Sequence, residues 1–98
     1  MAAATLNEVL EVLRARQGEA RAVGIELVGV VGSLARGEAR PDSDVDIIVH
    51  HLGGCSLFTL FDFEAALQKH VGRSVDLVFS EAMRPERRQY IERDLVRL

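Results

Sequence analysis

Cysteine, tryptophan and lysine are scarce in this sequence of 98 residues: it contains one cysteine, Cys55, no tryptophan, and one lysine among twelve basic residues. A single cysteine cannot form an intramolecular disulfide, which is typical of proteins in a reducing cytoplasm. No apolar run approaches the roughly 20 residues of a membrane-spanning helix. Residues 1–10 lack the basic start and long apolar segment of a secretory signal peptide. We therefore expect a cytoplasmic protein without a membrane partner.

An excess of positive charge is also missing. The formal net charge is −3, whereas proteins that bind nucleic acid usually carry a basic surplus. The composition therefore does not favour direct nucleic-acid binding. Hydrophobic residues make up 48% of the chain and charged residues 28%, an ordinary mixture for a globular protein. A chain of this length can bury one modest core, so we expect a single domain over residues 1–98.

Helical and strand patterns alternate along the chain. Leu6, Val9 and Leu13 fall at helical spacing, and Thr5 with Glu8 forms a capping-box pattern. The predicted elements are, in order, a helix over 5–17 that extends towards 23, a strand over 25–31, one or two turns over 33–37, a strand over 45–50, a helix over 57–71, a strand over 74–79 and a helix over 85–94. This order, αβ(α)βαβα, predicts an α/β (α+β) fold with helices packed on a small sheet.

Three aspartates stand out against the apolar strands. Residues i and i+2 of a strand point to one face, about 6.6 Å apart, so Asp44 and Asp46 should share a face opposite Val45. Asp76 has the same setting in the third strand. Neighbouring strands would bring these three carboxylates together, and their mutual repulsion requires a cation. Two carboxylates plus substrate phosphates form the usual Mg²⁺ site.

These aspartates allow other interpretations. Asp76 taken alone fits a solvated or arginine-paired strand residue equally well, and Asp42 fits a turn after Pro41. The spacing of Asp42, Asp44 and Asp46 imitates an EF-hand loop. That loop requires glycine at its sixth position and glutamate at its twelfth, which are isoleucine and glycine in this chain.

A glycine–serine pair, Gly32 and Ser33, follows the first predicted strand. A residue without a Cβ would let a phosphate approach the backbone, and the free amides of the turn and the serine hydroxyl could donate to it. A plain strand-to-helix turn explains this pair better when it is taken alone. The string from Gly32 to Gly37 also imitates a P-loop, but a P-loop continues with Lys and then Ser or Thr, and Glu38 follows here.

Taken together, Gly32-Ser33, ten intervening residues and Asp44-x-Asp46 resemble the signature of the polymerase-β-type nucleotidyltransferase superfamily. The string GSLARGEARPDSDVDIIV is similar to the minimal nucleotidyltransferases (MNT), the antitoxins of HEPN/MNT toxin–antitoxin pairs. VGRSVDLVF and AMRPERRQYI also resemble segments of that group, so the resemblance covers residues 23–95. It implies the nucleotidyltransferase fold, a small mixed sheet with helices on its faces.

The resemblance further implies a function and a site. Asp44 and Asp46 would hold two Mg²⁺ ions against the triphosphate of ATP, and Asp76 would join one metal and help to deprotonate the attacking hydroxyl. Gly32 and Ser33 would hold the β- and γ-phosphates. The enzyme would transfer AMP to a tyrosine of a HEPN toxin and silence it. An alternative is an antitoxin that neutralises its toxin by direct contact without catalysis. Homo-oligomers and hetero-oligomers with the toxin both remain open.

Arginines beyond this signature are less specific. Arg36 is a candidate for a further phosphate contact, although a surface salt bridge with Glu38 explains it equally well. Several arginines of the last helix alternate with acidic residues, a pattern that favours a solvated, ion-paired helix.

Overall fold

The computed structural model describes residues 4–98 and contains a four-stranded sheet with helices on both faces. The helices are α1 (Leu6–Ala15), α2 (Gln17–Ala22), α3 (Leu57–Val71) and α4 (Pro85–Asp94), and the strands are β1 (Ile25–Val31), β2 (Val45–His51), β3 (Val75–Phe79) and β4 (Val96–Arg97), with a 3₁₀ turn at Ser80–Ala82. The predicted α+β class and the order of its elements are confirmed.

The sheet has the spatial order β3-β2-β1-β4. β1 pairs antiparallel with β2 and with β4, whereas β2 and β3 run parallel. A parallel pair requires a crossover connection, and α3 provides it between β2 and β3. The sheet is therefore mixed, as the sequence resemblance implies. No helix in the described residues is long and apolar enough to cross a bilayer.

The first helix begins as predicted but ends early. Thr5 and Glu8 form the reciprocal capping box, and α1 then ends at Ala15, where the prediction had it continue to residue 17. The side chain of Gln17 explains the break, because it donates to the Leu27 carbonyl at 2.8 Å and accepts from the Leu27 amide at 2.7 Å. These two bonds tie the junction between α1 and α2 to β1, at the point where the β1–β2 register shifts.

The core lies on one face of the sheet, where α1 and α3 pack. Val45, Ile47 and Val49 of β2 are fully buried there, and they meet a cluster from the other elements: Val9, Leu10 and Leu13 of α1, Ile25, Leu27 and Val30 of β1, Phe63, Leu67 and Val71 of α3, and Val75 of β3. Burying each such aliphatic side chain stabilises the fold by about 1.5–3 kcal/mol. The residues that alternate with them in β2, including Asp46, consequently point to the opposite face.

The opposite face carries α4, and the strand that the prediction lacks, β4, forms the edge of the sheet beside β1. Ile48 of β2 and Ile91 of α4 line one cavity on this side. β4 pairs with Gly29 and Val30 of β1. It passes so close that a Cβ on Gly29 would lie 2.3 Å from the Val96 carbonyl oxygen. Glycine at this position therefore allows β4 to pair with β1.

Candidate active site

Asp46 lies at the centre of the candidate site. In the parallel pair β2–β3 it is the register partner of Asp76, and in the antiparallel pair β1–β2 it is the partner of Val31. Two carboxylates from adjacent strands thus lie side by side on the face opposite the core. The sequence prediction that Asp76 lies beside Asp46 is confirmed in this register.

Gly32, the residue after β1, completes the other side of the site. Its backbone has φ +82°, and a Cβ added there would lie 2.6 Å from the Oδ2 atom of Asp46. A side chain would therefore have to adopt a strained backbone conformation and would also fill the space beside this carboxylate. Because Gly32 has no side chain, its backbone lies open directly next to Asp46. The predicted close approach of a phosphate to this backbone requires such an opening.

The turn after Gly32 supplies unused backbone donors. It closes through bonds from Arg36 N to Gly32 O at 3.1 Å and from Glu38 N to Ser33 O at 2.8 Å. Within the described residues, the amides of Ser33, Leu34 and Ala35 donate to no backbone carbonyl. These donors suit an anion. Ser33 itself is partly exposed and is not among the residues that line the cavity described below.

Asp44 directly precedes β2. Pairing with β3 begins at Val45, whose amide donates to the Ser74 carbonyl at 2.8 Å, and Asp44 is exposed. A face shared with Asp46 stays a prediction for Asp44. Its charge still acts on Asp46, because it is one of the causes that raise the Asp46 pKa.

The loop that carries Asp44 is held by one arginine. Arg73 donates from Nη1 to the Arg40 carbonyl at 2.6 Å and to the Ser43 carbonyl at 3.3 Å, and from Nε to the Ala4 carbonyl at 3.0 Å. The Ser43 hydroxyl also accepts from the Arg40 amide at 2.8 Å. Because Ser43 directly precedes Asp44, these bonds determine where the backbone of Asp44 lies.

The electrostatics of Asp46 favour a bound cation. Partial burial, followed by the charges of Asp76 and Asp44, raises the pKa of Asp46, and the charge of Arg36 opposes the rise. Within the described residues, no salt bridge joins Asp46 or Asp76 to a basic side chain. The pair therefore lacks the direct arginine partner that the alternative interpretation of these aspartates would supply.

A cavity of about 870 Å³ opens beside these residues. Gly32, Asp46 and Asp76 line it from the sheet, and one face of α4 lines it from the other side through Arg87, Tyr90, Ile91 and Asp94. These four residues have the i, i+3, i+4, i+7 spacing of a single helical face. The alternating charges of α4 predict a solvated, ion-paired helix, so its part in the cavity was not predicted, although the helical spacing of this face is visible in the sequence.

Arg36 reaches the cavity in an ion-paired state. Its Nη1 atom lies 3.0 Å from Asp94 Oδ2, and its Nε atom lies 3.3 Å from Glu38 Oε2. Hydrogen bonds to Asp94 and then to Glu38 raise the pKa of Arg36. The salt bridge with Glu38 that the sequence allowed is present. A phosphate contact by Arg36 stays a prediction, and it would have to compete with Asp94.

The chemistry of the site fits a hard divalent cation shared with a substrate. Among residues 4–98, no three His, Cys, Asp or Glu side chains are gathered so that they could hold a metal by themselves. Mg²⁺ does not require such a set, because it usually binds one or two carboxylates together with substrate phosphates. Asp46 and Asp76 would provide the carboxylates, and the Gly32 turn beside them would hold the phosphates of the substrate. The full set of Asp44, Asp46 and Asp76 stays a prediction.

Comparisons with known proteins agree with this geometry. A family model described as a nucleotidyltransferase domain matches residues 6–98. The protein adenylyltransferase MntA of Thermococcus cleftensis is 37% identical over 97 residues, which cover 98% of each chain. A solved structure described as a minimal nucleotidyltransferase is 36% identical, with a TM-score of 0.69, and the match covers 91% of this chain and 95% of that one.

A second solved structure, a toxin–antitoxin crystal structure with AMP-PNP, has a TM-score of 0.66 at 20% identity, and the match covers 93% of this chain and 69% of that one. This second likeness concerns the fold. The family model covers nearly the whole chain, and the carboxylate pair beside a glycine turn has the chemistry that nucleotidyl transfer requires. The chain therefore belongs to the nucleotidyltransferase domain family.

Proposed function

We propose that this chain is a protein adenylyltransferase that moves AMP from ATP to a tyrosine hydroxyl of a HEPN-family toxin, and so acts as its antitoxin in the cytoplasm. The observation that carries the proposal is the register pair of Asp46 and Asp76 beside Gly32, in a cavity large enough for a nucleotide. The name of the MntA relative supports transfer to a protein.

The residues of the chain would divide the chemistry among them. The amides of the Gly32 turn would hold the triphosphate, and Asp46 and Asp76 would hold Mg²⁺ against it. When bound there, Mg²⁺ supplies positive charge to the attacking and leaving oxygens. Asp76, which is exposed, would accept the proton of the incoming tyrosine hydroxyl. The new bond joins that oxygen to the α-phosphorus, and pyrophosphate leaves in line.

One surface feature favours the alternative of neutralisation by direct contact. Leu57, Phe58 and Phe61 at the start of α3 are 69%, 85% and 62% exposed. An apolar cluster of this kind can serve as a protein contact surface. Tight binding there could silence a toxin without any transfer of AMP.

The two mechanisms separate in one experiment. The chain and the toxin encoded beside it are incubated with Mg²⁺ and ATP, and the ribonuclease activity of the toxin is followed. We expect the D46N/D76N variant to bind the toxin but to lose neutralisation, whereas D62N, which changes an exposed aspartate of α3, retains it. Full neutralisation by D46N/D76N would refute the catalytic mechanism and leave direct contact.

A further inference from the structure

One tyrosine lines the cavity of the candidate active site. Tyr90 is the single tyrosine of the sequence, and it lies on the face of α4 that lines the cavity with Asp46 and Asp76. It is 70% exposed. Within the described residues, its hydroxyl makes no hydrogen bond, so it is free to meet a bound nucleotide.

α4 places this tyrosine beside the phosphate-binding turn. Asp94, one helical turn after Tyr90 and about 6 Å further along the helix axis, is held at 3.0 Å by Arg36, which belongs to the turn that begins at Gly32. Arg87, one turn before Tyr90, lines the same cavity. The guanidinium of Arg93 lies 5.9 Å from the centre of the tyrosine ring and restrains it through a cation–π contact. Tyr90 itself is among the residues that line the cavity, so it lies on the cavity side of α4.

We infer that the enzyme adenylylates its own Tyr90, in an intramolecular reaction that rests on the proposed nucleotidyl transfer. The Tyr90 oxygen attacks the α-phosphorus of ATP and forms a phosphodiester bond to AMP. The bond between the α-phosphorus and the bridging oxygen breaks, and pyrophosphate leaves with that electron pair. The phenolic proton passes to a carboxylate of the cavity and then to solvent. The products are one O-adenylyl-tyrosine per chain and pyrophosphate.

Two properties of this reaction follow from the position of Tyr90. The proposed external acceptor is also a tyrosine hydroxyl, so α4 presents the same chemical group to the same metal-binding carboxylates. The modification also limits itself, because the attached AMP would occupy the cavity that the next ATP must enter. A modified chain should consequently transfer AMP to a toxin more slowly.

The test uses the purified chain alone with Mg²⁺ and ATP labelled at the α-phosphate. We expect label on the chain, one AMP by intact mass, and the modified peptide to contain Tyr90. The Y90F and D46N variants should remain unlabelled, and their melting temperatures serve as the folding control. Because the reaction is intramolecular, the labelled fraction at a given time should not depend on protein concentration.

Each other outcome overturns the inference in a distinct way. Label at another residue, or equal label on Y90F, removes Tyr90 as the acceptor. A labelled fraction that grows with protein concentration refutes the intramolecular reaction. A parallel reaction contains the toxin: label on the toxin with none on this chain refutes the inference and leaves the proposed function standing. Absence of label on both proteins refutes both.

Discussion

Replacing Asp46 by asparagine should stabilise the metal-free protein at neutral pH. Asparagine has the shape of aspartate and keeps the contact with the Gly32 backbone, but it removes the charge that burial, Asp76 and Asp44 disfavour. Functional sites often contain a charged residue whose neutralisation makes the protein more stable. The charge repulsion is kept there because the site needs it to bind a ligand.

The size of the effect follows from the register. Asp46 and Asp76 are partners on adjacent strands, which are about 4.8 Å apart. Two unit charges about 5 Å apart repel by about 1 kcal/mol in water and about 3 kcal/mol at an effective dielectric of 20. Because Asp76 is exposed and Asp46 half-buried, the lower value applies after screening. We expect D46N to raise the free energy of unfolding by about 1 kcal/mol and Tm by about 4–8 °C.

The pH dependence has a defined sign. The pKa of Asp46 is raised in the folded state, so the folded protein holds its proton more tightly than the unfolded chain does. Asp46 therefore destabilises the fold as pH rises through the window between the unfolded and the raised folded pKa. The difference in the free energy of unfolding between D46N and the wild type should be complete above this window. It should vanish below about pH 4, the ordinary pKa range for aspartate.

Thermal unfolding followed by circular dichroism in EDTA, from acidic to neutral pH, measures this directly. D62N is the matched control, since Asp62 is an exposed aspartate on α3, and its Tm should stay close to that of the wild type. Mg²⁺ with a non-hydrolysable ATP analogue should make the Tm of the wild type higher than that of D46N, because only the wild type binds the metal and nucleotide and is stabilised by them. A D46N variant that is less stable than the wild type at neutral pH without metal would refute the electrostatic argument.

Three further variants test the neighbouring contacts. Gly32→Ala should lower the free energy of unfolding by about 1–3 kcal/mol, because its Cβ would lie 2.6 Å from Asp46 Oδ2 at φ +82°; an unchanged urea midpoint would contradict the close approach. Arg73→Lys keeps the charge but removes the forked donors that hold the loop before β2. We expect kcat to fall about ten- to hundredfold with little change in KM. An unaltered kcat would show that the position of this loop does not affect catalysis. Asp94→Asn releases Arg36 from its 3.0 Å salt bridge. If Arg36 contacts a phosphate, KM for ATP should fall severalfold in steady-state kinetics. An unchanged KM would show that Arg36 has a structural role and does not contact ATP.

Much of the fold could be predicted because local signals agreed with tertiary packing. The bounds of β1, α3 and α4 match the prediction, since glycines and a proline mark their ends; Gly72, for example, ends α3 at φ 65°. β4 escaped prediction because two residues carry no periodicity and form a strand only through pairing with β1 at Gly29. The break after α1 depends on the bond between Gln17 and Leu27, a contact that no local pattern reveals.

The part of the site that depends on the alternation of side chains along a strand could be predicted from the sequence. The register confirms Asp46 beside Asp76, because both follow a buried valine at the start of a strand. Asp44 directly precedes β2, because pairing with β3 begins at Val45, and its part in the site stays a prediction. The helical spacing of the lining face of α4 is visible in the sequence, but local sequence does not show that this face meets the site. Its lining face, which includes Tyr90, is defined by packing across the sheet, while its charge pattern is typical of a solvated helix.

The most direct test of nucleotidyl transfer compares two labels of ATP. The chain, the proposed toxin partner and Mg²⁺ are incubated in parallel with ATP labelled at the α-phosphate or at the γ-phosphate, and protein-bound label is separated from released label. We predict that the α-label becomes covalently attached to a toxin tyrosine, while the γ-label leaves as pyrophosphate, and that D46N shows neither. Attachment of the γ-label, or neutralised toxin that carries no label, would contradict the account.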